Sequence, residues 1–176
     1  MRIAHEMSIP VLITEGGHIH REGKEDLGAT MSEASWKRII QFAQRLIEPA
    51  QKYDVVVAFE PYFLTQLSSA KRTRDFLEIV NSDRIRVLLD PANLLPNNSL
   101  DEMFAQLSPY IVGIHAKDRK IGVHGGVPAG EGDLDYAHFV QLCEENVPHL
   151  PIVIEYVTED NFLQAKSHLL GFLKLR

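Results

Sequence analysis

Cysteine is almost missing from this chain. Cys143 stands alone, which excludes a disulfide framework and any metal centre built on thiolates. Its place on a helical stripe with Tyr136, Phe139 and Val140 makes it a core filler. Positive charge is also scarce: 18 Lys and Arg against 24 Asp and Glu leave a net charge of -6. The basic footprint of non-specific nucleic-acid binding is therefore absent, although a metal-dependent nuclease is still compatible with an acidic chain. No apolar run is long enough to span a membrane. The N-terminus lacks the basic, apolar and small-residue succession of a signal peptide, so the cytoplasm is the expected compartment. No internal repeat is detectable by residue identity. What remains is an ordinary composition, 45% hydrophobic over 176 residues. It suffices for one sizeable core and a single domain over 1–176.

One pattern occurs five times. A short apolar run ends in one polar or charged residue: Val11 to Thr14 at Glu15, Val55 to Phe59 at Glu60, Val87 to Leu89 at Asp90, Ile111 to Ile114 at His115, and Ile152 to Ile154 at Glu155. Runs rich in Val and Ile, separated by helical patterns, read as parallel strands buried on both faces. Right-handed crossovers put all their C-terminal ends on one side, which in a (β/α) barrel is the active-site face. Glu60, Asp90, His115 and Glu155 should therefore converge. Three carboxylates and an imidazole brought together without a cation would repel, and a divalent metal resolves that cost. Taken singly, each of these residues is more commonly a helix cap or a surface ion pair; their order along the chain is the signal.

The connections fit this scheme. Arg2 to Met7 reads as a helix end. His18 to Thr30 reads as a polar loop on the active-site face, where His18 and His20 could offer ligands but are more simply two solvated histidines. Glu15 matches the strand-end pattern and is a candidate substrate contact. The next helix, capped by Thr30 with Glu33 or by Ser32, has Trp36, Ile39, Ile40, Ala43, Leu46, Ile47 and Ala50 on one face; Pro49 should kink or end it. The second helix presents Lys71, Arg72, Arg74 and Glu78 as a solvated face. Ser99 and Glu102 form a capping box for the third, and the fourth starts near Asp135. The Gly-rich stretch Lys120 to Asp133 reads as a functional loop whose glycines, at His124-Gly125-Gly126 and Gly130-Glu131-Gly132, would let backbone N–H groups approach a phosphate or hydroxyl. Thr158 should cap a last helix with Phe162, Ala165, Leu169 and Phe172 facing inward. A complete eight-stranded barrel takes about 250 residues, so five β/α units predict an incomplete TIM-barrel-like fold or an open parallel sheet. Unpaired edges would favour association, making a homo-oligomer the expectation.

Phe59-Glu60-Pro61, Leu89-Asp90-Pro91-Ala92-Asn93, His115-Ala116-Lys117-Asp118, Gly130-Glu131-Gly132-Asp133 and Ile154-Glu155 together resemble the sugar phosphate isomerase/epimerase family of the xylose isomerase-like TIM barrel superfamily. The resemblance covers essentially this whole chain and corresponds to the family's barrel from its fourth strand onward, leaving roughly the first three strands unrepresented. It implies one divalent cation (Mn²⁺, Co²⁺ or Mg²⁺, with Zn²⁺ also possible) held by Glu60, Asp90, His115 and Glu155, with Glu60 and Glu155 also acting as acid and base on a sugar or sugar phosphate. Asn93, Lys117, Asp118 and Glu15 are the candidate substrate contacts. The chain departs from the ketose 3-epimerase pattern at Gln66, Asn93 and Ile121, where those enzymes carry Glu, His and Arg; Arg119 is the nearest substitute for the last. Endonuclease IV resembles it less, since Asn93 replaces an expected ligand and no Asp-x-His follows His115. An alternative to the isomerase or epimerase is a partial barrel without catalysis that binds a ligand or associates through open strand edges.

Overall fold

The computed structural model describes residues 1–123 and 125–173. His124, one residue of the Gly-rich loop, lies outside the described residues. Helix α1 (Arg2–Glu6) leads into strand β1 (Val11–Glu15), and a two-stranded hairpin, β2 (His20–Arg21) and β3 (Lys24–Glu25), follows before the short α2 (Leu27–Thr30) and the long α3 (Glu33–Lys52). Then come β4 (Val56–Glu60), α4 (Ala70–Val80), β5 (Ile85–Leu89), the short α5 (Pro91–Leu94), α6 (Leu100–Leu107), β6 (Ile111–Ala116), α7 (Tyr136–Asn146), β7 (Ile152–Ile154) and α8 (Phe162–Leu170). The five long-range strands form one parallel sheet in the order β1-β4-β5-β6-β7. Neighbours in sequence are neighbours in space, and the sheet curls into part of a barrel, as the sequence predicts.

Helices pack on the outside through the apolar faces the sequence marked. Phe59 of β4 is fully buried, edge-on to Phe76 of α4 at 5.0 Å, and Trp36 of α3 closes the cluster 6.4 Å from Phe76. Complete burial of side chains of this size contributes about 1.5–3 kcal/mol each. Cys143 fills core space, its thiol pushed up to about 12 by burial. No helix among the described residues is long and apolar enough to cross a membrane.

Several local expectations are corrected. β1 and β7 are not buried on both faces: Ile13 is 52% and Val153 51% exposed, because each strand lies at a sheet edge. The polar stretch after β1 is not simply a loop; Glu22 and Gly23, both at positive φ, turn the β2–β3 hairpin. Ser32 caps α3 by accepting from Ser35 N, while Thr30 Oγ1 accepts from Ile19 N. Pro49 does not end α3, which runs on to Lys52; within the last turn the missing N–H costs only one hydrogen bond. The second helix's charged face is only partly solvated. Arg72 stacks on Trp36 at 4.5 Å and donates to Gln66, and Arg74 bonds Gln106. Thr158 does not cap α8, which begins at Phe162 after Asn161, and Phe162 and Phe172 point outward at 41% and 38% exposure. Phe162 instead lines an apolar groove of about 550 Å³ beside the open edge at β7.

Candidate metal centre and active site

The register decides which face carries the strand-end side chains. Glu15 pairs with Glu60, and Ala58 with Arg86, so Glu15, Glu60 and Asp90 share one face by the two-residue alternation of strands. Between β5 and β6 the register slips: Val87 pairs with Ile111, but Leu88 pairs with Gly113. That one-residue bulge carries His115, rather than Ile114, to the face of Asp90. Gly113 permits it, since a Cβ there would stand 2.6 Å from Leu88 Cδ1. His115 then pairs with Val153, which puts Glu155 on the same face. Glu155 N donates to Ala116 O at 3.1 Å, continuing the ladder one residue beyond β7.

One ligand-type atom each from Glu60, Asp90, His115 and Glu155 lie within 4.8 Å of one another. His115 Nδ1 stands 2.8 Å from Glu155 Oε1 and 3.6 Å from Glu60 Oε1. Lys117 reaches into the cluster, its Nζ 2.8 Å from Asp90 Oδ2, 3.1 Å from Glu155 Oε2 and 3.9 Å from Glu60 Oε1. Asn93 Nδ2 donates to Glu60 Oε1 at 2.9 Å, and Asp90 Oδ1 accepts from Ala92 N at 2.9 Å. Even so, Asp90 Oδ2 and His115 Nδ1 are buried without an aligned hydrogen-bond partner. Two such atoms, in a set of three carboxylates and one imidazole, fit an oxygen-preferring divalent cation.

The charges are strongly coupled. Complete burial raises the Asp90 carboxyl to about 7 against the pull of Lys117, with Glu60 and Glu155 adding to the rise. Burial works against the His115 cation, but contacts with Glu155 and Glu60 override it and lift the imidazole to about 9. Glu155 is held down at about 2, chiefly by its close contact with His115 Nδ1, against burial and with help from Lys117. Burial opposes the Lys117 charge too, yet the carboxylates, Asp90 first, raise the ammonium above its ordinary value. These shifts fix a pH dependence for the metal-free protein. A raised Asp90 keeps its proton in the folded state after the unfolded chain has lost it, so stability falls from about pH 4 to 7 on this account. A raised His115 stabilises fully below its ordinary 6.5 and loses that contribution as pH rises through about 9. The depressed Glu155 contributes above its ordinary 4.5 and loses that as pH falls toward 2. In chelator, the melting temperature should therefore decline steadily from pH 5 to pH 9 by scanning calorimetry, and a flat profile would contradict the network.

A pocket of about 320 Å³ opens over the cluster, walled by Glu60, Asn93, Lys117 and Glu155, with Glu15 and His18 at the β1 side. Of the candidate substrate contacts, Glu15, Asn93 and Lys117 line this pocket. His18 is not a solvated loop histidine; it packs on Tyr62, 6.1 Å between rings, whereas His20 is exposed. Asp118 is turned elsewhere. Its carboxylate accepts from the backbone N–H groups of Arg119, Gly130 and Leu134 at 2.8, 3.1 and 3.0 Å, tying down the Gly-rich loop, and it does not line the pocket. Gln66 also faces away, donating to Thr30 O and Ser32 O at the start of α3, and Ile121 is 62% exposed. Nothing in the sequence marks Tyr62 and Tyr156 as wall residues, whereas Gly125 of the Gly-rich loop lines the pocket with them. Tyr156 follows Glu155 in the left-handed region at φ 58° and holds its ring 5.0 Å from Lys117 Nζ; a lone Tyr carries no sequence signal for either feature.

The fold and this strand-end centre define a class. The xylose isomerase-like TIM barrel family matches residues 1–174, and the chain belongs to it. Among curated relatives, L-ribulose-5-phosphate 3-epimerase UlaE of Escherichia coli K12 is 27% identical over 114 residues, which is 64% of this chain and 40% of that protein. The chain thus spans less than half the length of that relative. Among solved structures, a xylose isomerase domain protein from Planctomyces limnophilus superposes with a TM-score of 0.77 at 19% identity, covering 96% of this chain and 60% of that one. A xylose isomerase-like TIM barrel protein from Mycobacterium smegmatis, in complex with magnesium, gives 0.70 at 16% identity, with 97% and 62% covered. Both share the fold.

Proposed function

We propose that this chain carries the metal and acid–base centre of a metal-dependent isomerase or epimerase acting on a sugar or sugar phosphate. The observation that carries the reading is the convergence of Glu60, Asp90, His115 and Glu155 within 4.8 Å, one from each of four successive β/α units. Glu60, Asp90, His115 and Glu155 would hold a divalent cation, Mn²⁺, Co²⁺ or Mg²⁺ by the chemistry of the set, with Zn²⁺ an admissible fourth. When bound, the cation supplies polarisation of a substrate carbonyl or hydroxyl. The chain's own groups do the rest. Glu155, ionised across the neutral range, removes a proton from carbon beside that oxygen. Glu60, oriented by Asn93, returns one from the other side or to the neighbouring carbon. Lys117 and Asn93 orient substrate oxygens from the pocket wall, with Glu15 facing them from β1. Asp118 acts through the loop it anchors.

The direct test is titration of the chelator-stripped chain with Mn²⁺ by calorimetry. One tight site per chain, lost in Asp90→Ala, is expected. Absence of binding would leave the acid–base reading without its centre. That outcome would favour the second reading, a partial barrel without catalysis that associates through its edges. Exposed Ile13 and Val153 and the groove beside β7 support such association, with a second copy of the chain as one partner. A nuclease finds less support, because Asn93, an amide that donates to Glu60, stands in place of an expected ligand and no Asp-x-His follows His115.

A further inference from the structure

One cation of the pocket has no use in the scheme above. Arg119 is 2% exposed. Its Nε donates to Ala92 O at 2.7 Å, and its guanidinium lies 5.0 Å from the ring centre of Phe63 and 5.7 Å from that of Tyr62. Nη1 is buried with no hydrogen-bond partner, and among the described residues no carboxylate pairs with the group. Lys117 differs in kind, since three carboxylates already surround it. A buried guanidinium left with an open N–H and no counter-charge is costly, and a ligand oxyanion removes both costs at once. Position agrees. Arg119 lines the same pocket as Glu60 and Glu155. Its anchor, Ala92, is the residue whose N–H holds Asp90 Oδ1, so the guanidinium is tied at a fixed reach from the metal ligands. Gly125, at φ 103°, contributes a stretch of the same pocket's wall without a side chain.

We propose that Arg119 forms an oxyanion subsite that takes the charged end of the substrate, a phosphate ester or a carboxylate. This rests on the reading of the pocket as a sugar site, and it makes the substrate an anionic sugar derivative rather than a neutral sugar. Neither the residue nor the subsite follows from the strand-end pattern. Arg119 comes from the loop after β6; the sequence offers it only as the nearest substitute for an epimerase arginine, and its unpaired burial in the pocket wall is what assigns it an oxyanion.

The test uses the chelator-stripped protein, so that anion binding is read without metal or turnover. Inorganic phosphate and acetate are titrated separately against a chloride background of equal ionic strength, by calorimetry and by the ¹⁵N shift of Arg119 Nε–H. Binding of one or both anions to the wild type is expected, with Arg119 Nε–H moving at saturation. Affinity should fall at least tenfold in Arg119→Met and recover in part in Arg119→Lys. The tighter anion identifies the group: phosphate a phosphate ester, acetate a carboxylate. Glu155→Gln removes the proposed base and leaves the Arg119 contact, so it should sharply lower turnover while the anion still moves Arg119 Nε–H; a failed acid–base assignment and a failed subsite thus give different results. If Arg119→Met does not fold, the wild-type shift and Arg119→Lys still decide. Anion binding that leaves Arg119 Nε–H unmoved, equal affinity in the folded variants, or no binding to the wild type would overturn the subsite.

Discussion

Glu155→Gln should lower turnover by about 10²–10⁴-fold, the range that positioned proton transfer contributes. Glutamine preserves the shape and can still accept from Lys117, now 3.1 Å away. It cannot take a proton from carbon. The side chain is 29% exposed and sits past the end of β7, so the fold should survive with a melting temperature changed by only a few degrees. Exchange of the substrate's carbon-bound hydrogen in D₂O, followed by NMR, is the measurement. Wild-type exchange in a folded Glu155→Gln protein would remove Glu155 from the chemistry. Loss of exchange with Mn²⁺ affinity retained would separate its proton-transfer role from its ligand role.

The largest loss of stability is expected at Asp118. In Asp118→Ala three backbone N–H groups lose their shared acceptor, each worth roughly 1–3 kcal/mol when buried. A total of about 3–5 kcal/mol would lower the melting temperature by roughly 10 °C or more in a chain of this size. Gly132→Ala should reproduce the defect from the opposite side, because its Cβ would stand 2.2 Å from Asp118 Oδ1 and 2.5 Å from Arg119 N, too close for either to remain. A direct substrate contact would behave otherwise. Asp118→Ala would then weaken substrate binding and leave the unfolding temperature near that of the wild type, and Gly132→Ala would have no reason to match it.

Asp118 marks how far the sequence could be read. The five apolar runs, their parallel order and the polar residue after each were legible because buried parallel strands leave a dense local signal, and every one of the five is a strand of the sheet. The capping box at Ser99 and Glu102 was legible for the same reason, both halves being present within four residues. Long-range geometry was not. Whether His115 or Ile114 faces Asp90 depends on one slipped residue between β5 and β6, and Gly113 was its only trace. Asp118 and Arg119 are adjacent in sequence; the sequence offers the first as a substrate contact and the second as the nearest substitute for an epimerase arginine, and it gives no sign of what either side chain meets. The structure buries both and sends the carboxylate to the loop and the guanidinium to the pocket. Edge exposure at Ile13, Val153 and Phe162 was equally hidden, since an apolar run looks the same whether or not a neighbour covers it.

Glu155 belongs to the most weakly held strand of the sheet. β7 has three residues, one partner strand and a solvent-facing Val153, yet it delivers one of the four convergent ligand atoms and the base of the proposed reaction. Part of any ion's affinity must therefore go into fastening this margin, and whatever covers the apolar groove beside it would do some of that work in advance. Occupancy at the centre and order at the rim become two readings of one equilibrium, so a partner that never touches the ion could still set how tightly it is held.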